Sequence, residues 1–195
     1  MATASKSKIL TSEKSKIKLR FEQIFDSKKK RHYFDGRTFV LHCHHYASLL
    51  TQLALDAEHL GGTKLLCDAA EESFKPILED YFKKHKISEK SDRVSIAEQY
   101  FRFSGLGQIE FSFGVNNGYV ILKSSHIDQG WIKKWGENDK PVNFIGMGFI
   151  QAVWGAVFEK NSAQIDITET QSMVCGAPAS MFTLSWEEGA GDGNK

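Results

Sequence analysis

Cysteine is scarce in this 195-residue chain, and long apolar runs are absent from it. The three cysteines, Cys43, Cys67 and Cys175, are odd in number and form no CxxC spacing, which argues against a disulfide framework and favours reduced thiols in a cytosolic protein. No stretch of about 18 apolar residues offers a membrane-spanning helix. The opening residues, Met-Ala-Thr-Ala-Ser-Lys, lack the apolar segment of a secretion signal. We therefore expect a cytoplasmic protein.

A large net charge is also missing. The formal charge is +1 at pH 7, which argues against nucleic acid or a membrane as the main partner. The charge is nevertheless uneven, because residues 1–31 contain ten Lys or Arg but three Asp or Glu. We interpret the run Lys28-Lys29-Lys30-Arg31 as a solvated segment, and weak contact with an anionic membrane surface is the alternative.

Fingerprints of catalysis and of cofactor binding are missing as well. The fragment Gly105-Leu-Gly107 does not extend to GxGxxG and precedes a predicted strand rather than a helix, so it is not a nucleotide loop. No cysteine has the neighbouring base that a nucleophile needs. No nicotinamide or flavin motif supplies a hydride. The sequence therefore predicts neither an enzyme nor a resident cofactor.

The apolar residues that are present mostly follow a helical spacing, and at 41% of the chain they are enough for one core. This spacing predicts helices at 11–26, 40–60, 63–84, 91–101, 125–135 and 141–158, the third of them kinked or restarted at Pro76. The apolar stripe of the first helix is Ile17, Phe21, Ile24 and Phe25, and that of the second is Tyr46, Leu49, Leu50, Leu53, Ala57 and Leu60. We divide the chain into a disordered arm (1–10), an N-terminal helix and basic run (11–35), one domain (36–187) and a disordered tail (188–195).

Alternating apolar patterns replace the helical spacing in four short segments, 108–114, 119–123, 164–169 and 181–186. The sequence Asn116-Asn117-Gly118 predicts a hairpin turn between the first two of them. The expected fold class is α+β, a four-stranded antiparallel sheet with helices packed on one side.

Several motifs, in their order along the chain, resemble a known family. They are Leu60-Gly61-Gly62, Phe103-Ser-Gly-Leu-Gly107, Pro141-Val-Asn-Phe144, Gly148-Phe149 with Gly155, Glu169-Thr-Gln-Ser172 and Gly176-Ala-Pro-Ala-Ser180-Met-Phe182. Over about residues 36–186 the chain resembles the 4-vinyl reductase domain, which is related in fold to the TRAPP vesicle-tethering subunits. That family includes the sensor half of phenol-responsive activators, an archaeal hydrocarbon-binding protein and a protein tied to chlorophyll synthesis. The resemblance implies a TRAPP-like fold, a cavity between sheet and helices, and a homodimer.

The resemblance also implies a zinc site in many members, formed by a Cys before the glycine-rich helix, a Glu-x-x-Cys pair and a Cys eight residues further on. The matching positions here are Asn143, Glu169, Ser172 and Ser180, so only the carboxylate remains. An amide and two hydroxyls are poor zinc ligands. We expect no metal there, with hydrogen bonds to an inward Glu169 in its place; a general-acid role for Glu169 is the alternative.

The candidate ligand-binding residues are aromatic or histidine side chains expected on segments that border the implied cavity. They are His42, Tyr46, Phe111, His126, Trp131, Trp154 and Phe158. The rings would form the walls, although a plain core role stays open for them. Within the run His42-Cys43-His44-His45, His42 is the one expected to point inward, and it or His126 would orient a polar group of the ligand. Metal binding by this run lacks a partner motif.

These observations favour a non-catalytic binding protein or carrier for a flat, apolar small molecule. A tetrapyrrole precursor or an aromatic hydrocarbon is the expected ligand, with a role in pigment or photosystem assembly as a possible setting. Two alternatives stay open, namely a protein–protein assembly factor without a ligand and a reductase of vinyl groups.

Overall fold

Two antiparallel sheets and five helices make up the described residues, 9–40 and 42–187 of the computed structural model. The helices are α1 (His44–Asp56), α2 (Gly62–Lys84), α3 (Lys90–Phe103), α4 (His126–Trp135) and α5 (Phe144–Phe158). The strands are β1 (Gln23–Asp26), β2 (Arg31–Phe34), β3 (Arg37–Phe39), β4 (Gly107–Phe113), β5 (Asn117–Ser125), β6 (Ile165–Gln171) and β7 (Ser180–Trp186). Within the described ranges no helix is long and apolar enough to cross a membrane.

The larger sheet has the strand order β4-β5-β7-β6 and is antiparallel throughout. Its alternating apolar residues, among them Ile109, Phe111, Phe182 and Leu184, are buried in one core with residues of α2, α3 and α5. The α+β prediction is therefore confirmed, because one face of each strand packs on helices as the period of two requires.

Helix α5 lies at the centre of the helical layer and is buried around almost its whole circumference. Its closest neighbour is α2, which it meets at Gly148. A Cβ atom at that position would lie 2.2 Å from the carbonyl oxygen of Cys67, so only glycine permits the approach. Helix α2 packs against α5 and continues through Pro76 as one helix, so the predicted restart at Pro76 does not occur.

The N-terminal segment is extended, and the helix predicted for residues 11–26 is wrong. From residue 14 to residue 21, exposed and half-buried residues alternate, and Ile17, Leu19 and Phe21 pack against the core. A period of two is the pattern of an extended chain, and it outweighs the helical stripe because it matches the core surface beneath. The chain then forms the three-stranded sheet β1-β2-β3, with a tight turn at Asp35 and Gly36, both at positive φ.

The boundary between the predicted disordered arm and the folded chain lies slightly earlier in the sequence than expected. The predicted disordered ends fall mainly on residues outside the described ranges, but Leu10 pairs with Phe113 of β4 through two backbone hydrogen bonds of 2.8 and 3.0 Å. The described chain thus joins the sheet from Leu10 onward.

Helix α1 turns its large apolar side chains outward, opposite to our expectation. Tyr46 is 55% exposed and Leu53 54%, whereas the buried positions are small: Ala47, Ser48, Thr51 and Ala54. The cause is a close approach to α4, where a Cβ atom on Gly130 would lie 2.8 Å from the Cβ of His44. The helix also begins at His44, so His42 precedes it instead of sharing its first turn.

Candidate functional site

Two neighbouring cavities lie between the β1–β3 sheet, α2 and α3. The first has a volume of about 130 Å³ and walls that are mainly aromatic, formed by Phe21, Phe34, Phe39, Tyr81, Tyr100 and Phe103. The second, about 280 Å³, is lined by Val40, His42, Phe74, Leu106 and His126, and it shares Phe39, Tyr100 and Ser104 with the first. We call the two together the aromatic cavity.

The polar end of the aromatic cavity is formed by imidazoles. The ring centroids of His42 and His126 are 6.0 Å apart, and His44 lies 6.0 Å from His126 on another side. The Nε2 atom of His126 is buried without a hydrogen-bond partner among the described residues. A buried polar group without a partner costs free energy, so this atom is suited to bind a polar group from a ligand.

Burial lowers the pKa of His126, and the neighbouring rings of His42 and His44 lower it further. A hydrogen bond to the backbone of Cys43 acts against this lowering. The neutral form of His126 is therefore favoured, with its unpartnered Nε2 available to a ligand. Burial also raises the pKa of Tyr100, whose phenol stays neutral. The second part of the cavity thus presents neutral hydrogen-bonding groups, whereas the ion pairs Asp35–Lys84 and Arg37–Asp80 lie at the wall of the first part.

The structure brings together only part of the predicted ligand site. His126 lines the aromatic cavity, and His42 borders it but is exposed, so the expectation of an inward His42 is wrong. The ring of Tyr46 lies 5.7 Å from that of His42 and is half exposed. Phe111 is in the main core. Trp131 sits beside Trp135 in a separate small cluster with Val142 and Val174.

Trp154 and Phe158 pack with a third aromatic residue at the far end of the core. Their ring centroids lie 5.8 and 5.9 Å from that of Trp186, and Trp154 is 1% exposed. Neither residue lines either part of the aromatic cavity. The structure therefore gives these two rings a place in the core.

Sequence reasoning missed the aromatic walls that come from residues 21–39. Phe21 packs edge-on against Tyr81 and Tyr100, and Phe34 against Phe39 and Phe103. Two sequence features could have predicted these walls, namely the alternating apolar pattern of the N-terminal segment and the Asp35-Gly36 turn. A helix over that segment would not direct these rings towards α2 and α3.

The four positions of the implied zinc site do converge, around Asp128 of α4. The amide of Asn143 donates to Oδ2 of Asp128 at 3.0 Å and to the hydroxyl of Ser125 at 3.1 Å, and its oxygen accepts from the N–H of Gly146 at 2.9 Å. Ser180 donates to Oδ2 of Asp128 at 3.3 Å. Asn143 thus begins α5 as its N-cap, and both ends of its side chain are engaged.

Glu169 is close to this network and carries a strongly perturbed carboxyl group. Burial raises its pKa to about 7, the charge of Asp128 raises it further, and the nearby hydroxyls of Ser172 and Ser180 act against the rise. Burial also raises the pKa of Asp128. The hydroxyls of Ser172 and Ser180 lie near enough to Glu169 to lower its pKa by hydrogen bonding, as expected, although neither contact has the geometry of a well-formed hydrogen bond. The well-formed hydrogen bonds of this network converge on Asp128.

The residues at this position do not fit zinc. Both ends of the Asn143 amide are engaged in hydrogen bonds, and burial raises the pKa of both carboxyl groups and of the nearby Cys175 thiol, which disfavours the charged forms that bind zinc. Among the described residues, no three His, Cys, Asp or Glu side chains are grouped so that they could hold a metal ion.

Untagged protein is accordingly expected to contain well under one zinc per chain, because the three positions that would carry thiolates hold an amide and two hydroxyls. Elemental analysis checks this, and melting with and without a chelator provides the control. A chelator-resistant zinc at one per chain, whose removal lowers the melting temperature, would contradict it.

Comparisons with known proteins show the fold. No family model matches the chain, and no curated protein matches it. A solved structure of the phenol-responsive sensory domain of the transcription activator PoxR, with phenol, is similar to this chain with a TM-score of 0.69, 15% identity and coverage of 84% of each chain. A trafficking protein particle complex subunit 3 from Naegleria fowleri, covalently bound to palmitic acid, is similar with a TM-score of 0.45, 12% identity and coverage of 73% of this chain and 96% of that one. The chain therefore has the fold of the PoxR sensory domain.

Proposed function

We propose that this chain is a binding protein for a small, flat, apolar molecule that carries one polar group, held in the aromatic cavity. The observation that carries the proposal is the combination of aromatic walls with the unpartnered Nε2 of His126 at one end. Ligand sites are typically apolar concavities with a few polar groups that fix orientation. The proposal assigns no catalytic step to the chain.

The volumes favour a ligand of one or two rings. A dry cavity of about 150 Å³ accommodates benzene, which matches the 130 Å³ of the first part of the aromatic cavity. A tetrapyrrole needs roughly four times the volume of one ring, about 600 Å³, which exceeds both parts taken together. A phenolic or naphtholic compound is therefore a better candidate than the tetrapyrrole considered from the sequence.

The shared fold with the PoxR sensory domain supports a ligand of this size, because that domain is responsive to phenol. Fold likeness at 15% identity does not carry function by itself. The support therefore comes from the agreement between the ring-sized volume and the unpartnered imidazole in this chain.

A titration tests the binding proposal directly. We expect 2-naphthol or phenol to bind with a Kd below about 100 μM by isothermal calorimetry, since burying a ring face at about 25 cal/mol per Å² supplies several kcal/mol before ordering costs. His126→Phe keeps a ring but removes the nitrogen, and should weaken binding at least about tenfold. His45→Phe, at an exposed neighbouring histidine outside the cavity lining, is the matched control and should bind like wild type. Failure of every aromatic tested to bind would favour the assembly-factor interpretation.

We also propose that the outward face of α1 contacts a second copy of the chain. Tyr46, Leu49 and Leu53 are spaced three and four residues apart on one helical face, and each is about half exposed. Leu60 and Leu65, at the junction with α2, are exposed at 79% and 69%. Together these side chains offer on the order of 500 Å² of apolar surface, a patch size that marks interaction sites. A symmetric dimer would supply the same patch from both sides.

Leu53→Glu is expected to convert a dimer to a monomer, because two carboxylates would be buried across the two-fold axis without partners. Size-exclusion chromatography with light scattering measures the mass. Ile132→Glu, at a 36% exposed position on α4, should leave the mass unchanged. A wild-type protein that stays monomeric at high concentration would contradict the proposed dimer. It would not bear on the proposed ligand binding.

A further inference from the structure

The β1–β2 hairpin presents four consecutive cations at its tip. Lys28, Lys29, Lys30 and Arg31 are all exposed, and among the described residues none of them forms an ion pair. The carboxylate of Asp26 accepts hydrogen bonds from the backbone N–H groups of Lys28 and Lys29, both at 2.9 Å. The backbone of the tip is therefore fixed, and the four charges are held within one short turn.

Two large apolar side chains stand directly beside these cations. Ile24 is 48% exposed and Phe25 52%, and as consecutive residues of β1 they point to opposite faces of the hairpin. The only aromatic neighbour of Phe25 among the described residues is the ring of His32, 4.7 Å away. Cations around exposed aromatic and aliphatic groups are the combination that partitions into the headgroup region of an anionic bilayer.

We propose that the β1–β2 hairpin docks this chain on an anionic membrane surface, with Ile24 and Phe25 entering the interface. The charge distribution orients the contact, because residues 1–31 contain ten Lys or Arg and three Asp or Glu, whereas the rest of the chain has more acidic than basic residues. The acidic remainder is repelled by the same surface, so the hairpin side faces the bilayer.

The hairpin also forms part of one wall of the aromatic cavity through Phe34 of β2, and the adjoining β3 contributes Phe39. Two ion pairs join this sheet to α2: Asp35 pairs with Lys84 at 3.0 Å, and Arg37 pairs with Asp80. Docking therefore places the proposed ligand site next to the bilayer, where apolar ligands accumulate. This consequence rests on the proposed function; the docking itself does not.

Co-sedimentation of the full chain with vesicles tests the docking. We expect binding to phosphatidylcholine vesicles that contain about 30% phosphatidylserine, little binding to pure phosphatidylcholine, and loss of binding as salt shortens the Debye length. Replacing the cations by Lys28→Gln, Lys29→Gln, Lys30→Asn and Arg31→Gln should lower the partition coefficient by at least about a hundredfold, at roughly fivefold per charge. Asn is used at position 30 because that residue has a φ of 55°.

The matched control removes four charges elsewhere, by Lys83→Gln, Lys133→Gln, Lys140→Gln and Lys160→Gln, at positions that are all exposed. It should retain most of the vesicle binding, and an equal loss in this control would overturn the proposal. Phe25→Ser should weaken vesicle binding about five- to tenfold and leave binding to duplex DNA unchanged. Tight DNA binding combined with no effect of Phe25→Ser on vesicles would assign the tip to nucleic acid instead. His126→Phe should bind vesicles like wild type, which keeps failure of docking separate from failure of ligand binding.

Discussion

Trp154→Ala is expected to lower the free energy of unfolding by about 3–5 kcal/mol, the range for removing a large aromatic side chain from a core. Trp154 is 1% exposed and packs against Phe158 and Trp186. These neighbours belong to a rigid helix and a central strand, so they cannot collapse into the space that the indole leaves. Urea unfolding followed by circular dichroism measures the loss.

The control for this variant is Trp135→Ala, at a position that is 38% exposed at the end of α4. It should cost clearly less than Trp154→Ala, because more than a third of Trp135 stays in contact with water and its removal leaves a surface groove that water fills, not an internal cavity. Where the protein still folds, Trp154→Ala should bind 2-naphthol like wild type, since Trp154 does not line the aromatic cavity. A small loss of stability together with abolished ligand binding would show that Trp154 is a ligand wall, as the sequence allowed.

Raising the pH from about 4.5 to about 7 is expected to destabilise the fold. The pKa of Glu169 is about 7 in the folded chain and about 4.5 when exposed, so between these values the folded state binds more protons than the unfolded state. Stability therefore falls as pH rises through this window, by on the order of 3 kcal/mol for the whole shift. The raised pKa of Asp128 adds to the same trend.

Glu169→Gln is expected to flatten this pH dependence and to be more stable than wild type at pH 8, because no buried charge then forms. Urea midpoints measured from pH 4 to pH 8 check both statements. Asp166→Asn removes an exposed carboxyl group from the same strand and should leave the wild-type slope unchanged. A wild-type protein whose stability rises between pH 5 and pH 7 would contradict the assignment, since Glu169 would then have to be charged and stabilised.

The large sheet was predictable from sequence because its strands alternate and each has one buried face. All four strands begin and end within two residues of the predicted bounds, since the period of two depends on burial alone. The N-terminal sheet was not predictable in the same way. Residues 11–26 contain both a helical stripe and an alternation, and only the core surface beneath Ile17 and Phe21 decides between them.

The candidate site was only partly predictable for a related reason. Side-chain type identified His42 and His126 as candidate polar contacts, but which aromatic residues face a cavity depends on how the layers pack. Trp154 and Phe111 are as aromatic as Tyr100 and Phe103, and the first two fill space between sheet and helices while the others border a gap under the N-terminal sheet. The inward face of α1 was unpredictable for the same reason. The close approach of Gly130 on α4 requires small residues there, so the small face of α1 packs inward and the large apolar face points outward.

The most direct test of the account is the map of amide chemical-shift changes when 2-naphthol is added to isotopically labelled protein. We expect the largest changes at Phe39, Tyr100, Ser104, Leu106 and His126, which line the aromatic cavity. Changes centred on Trp154, Phe158 and Trp186, or no saturable change at all, would contradict it.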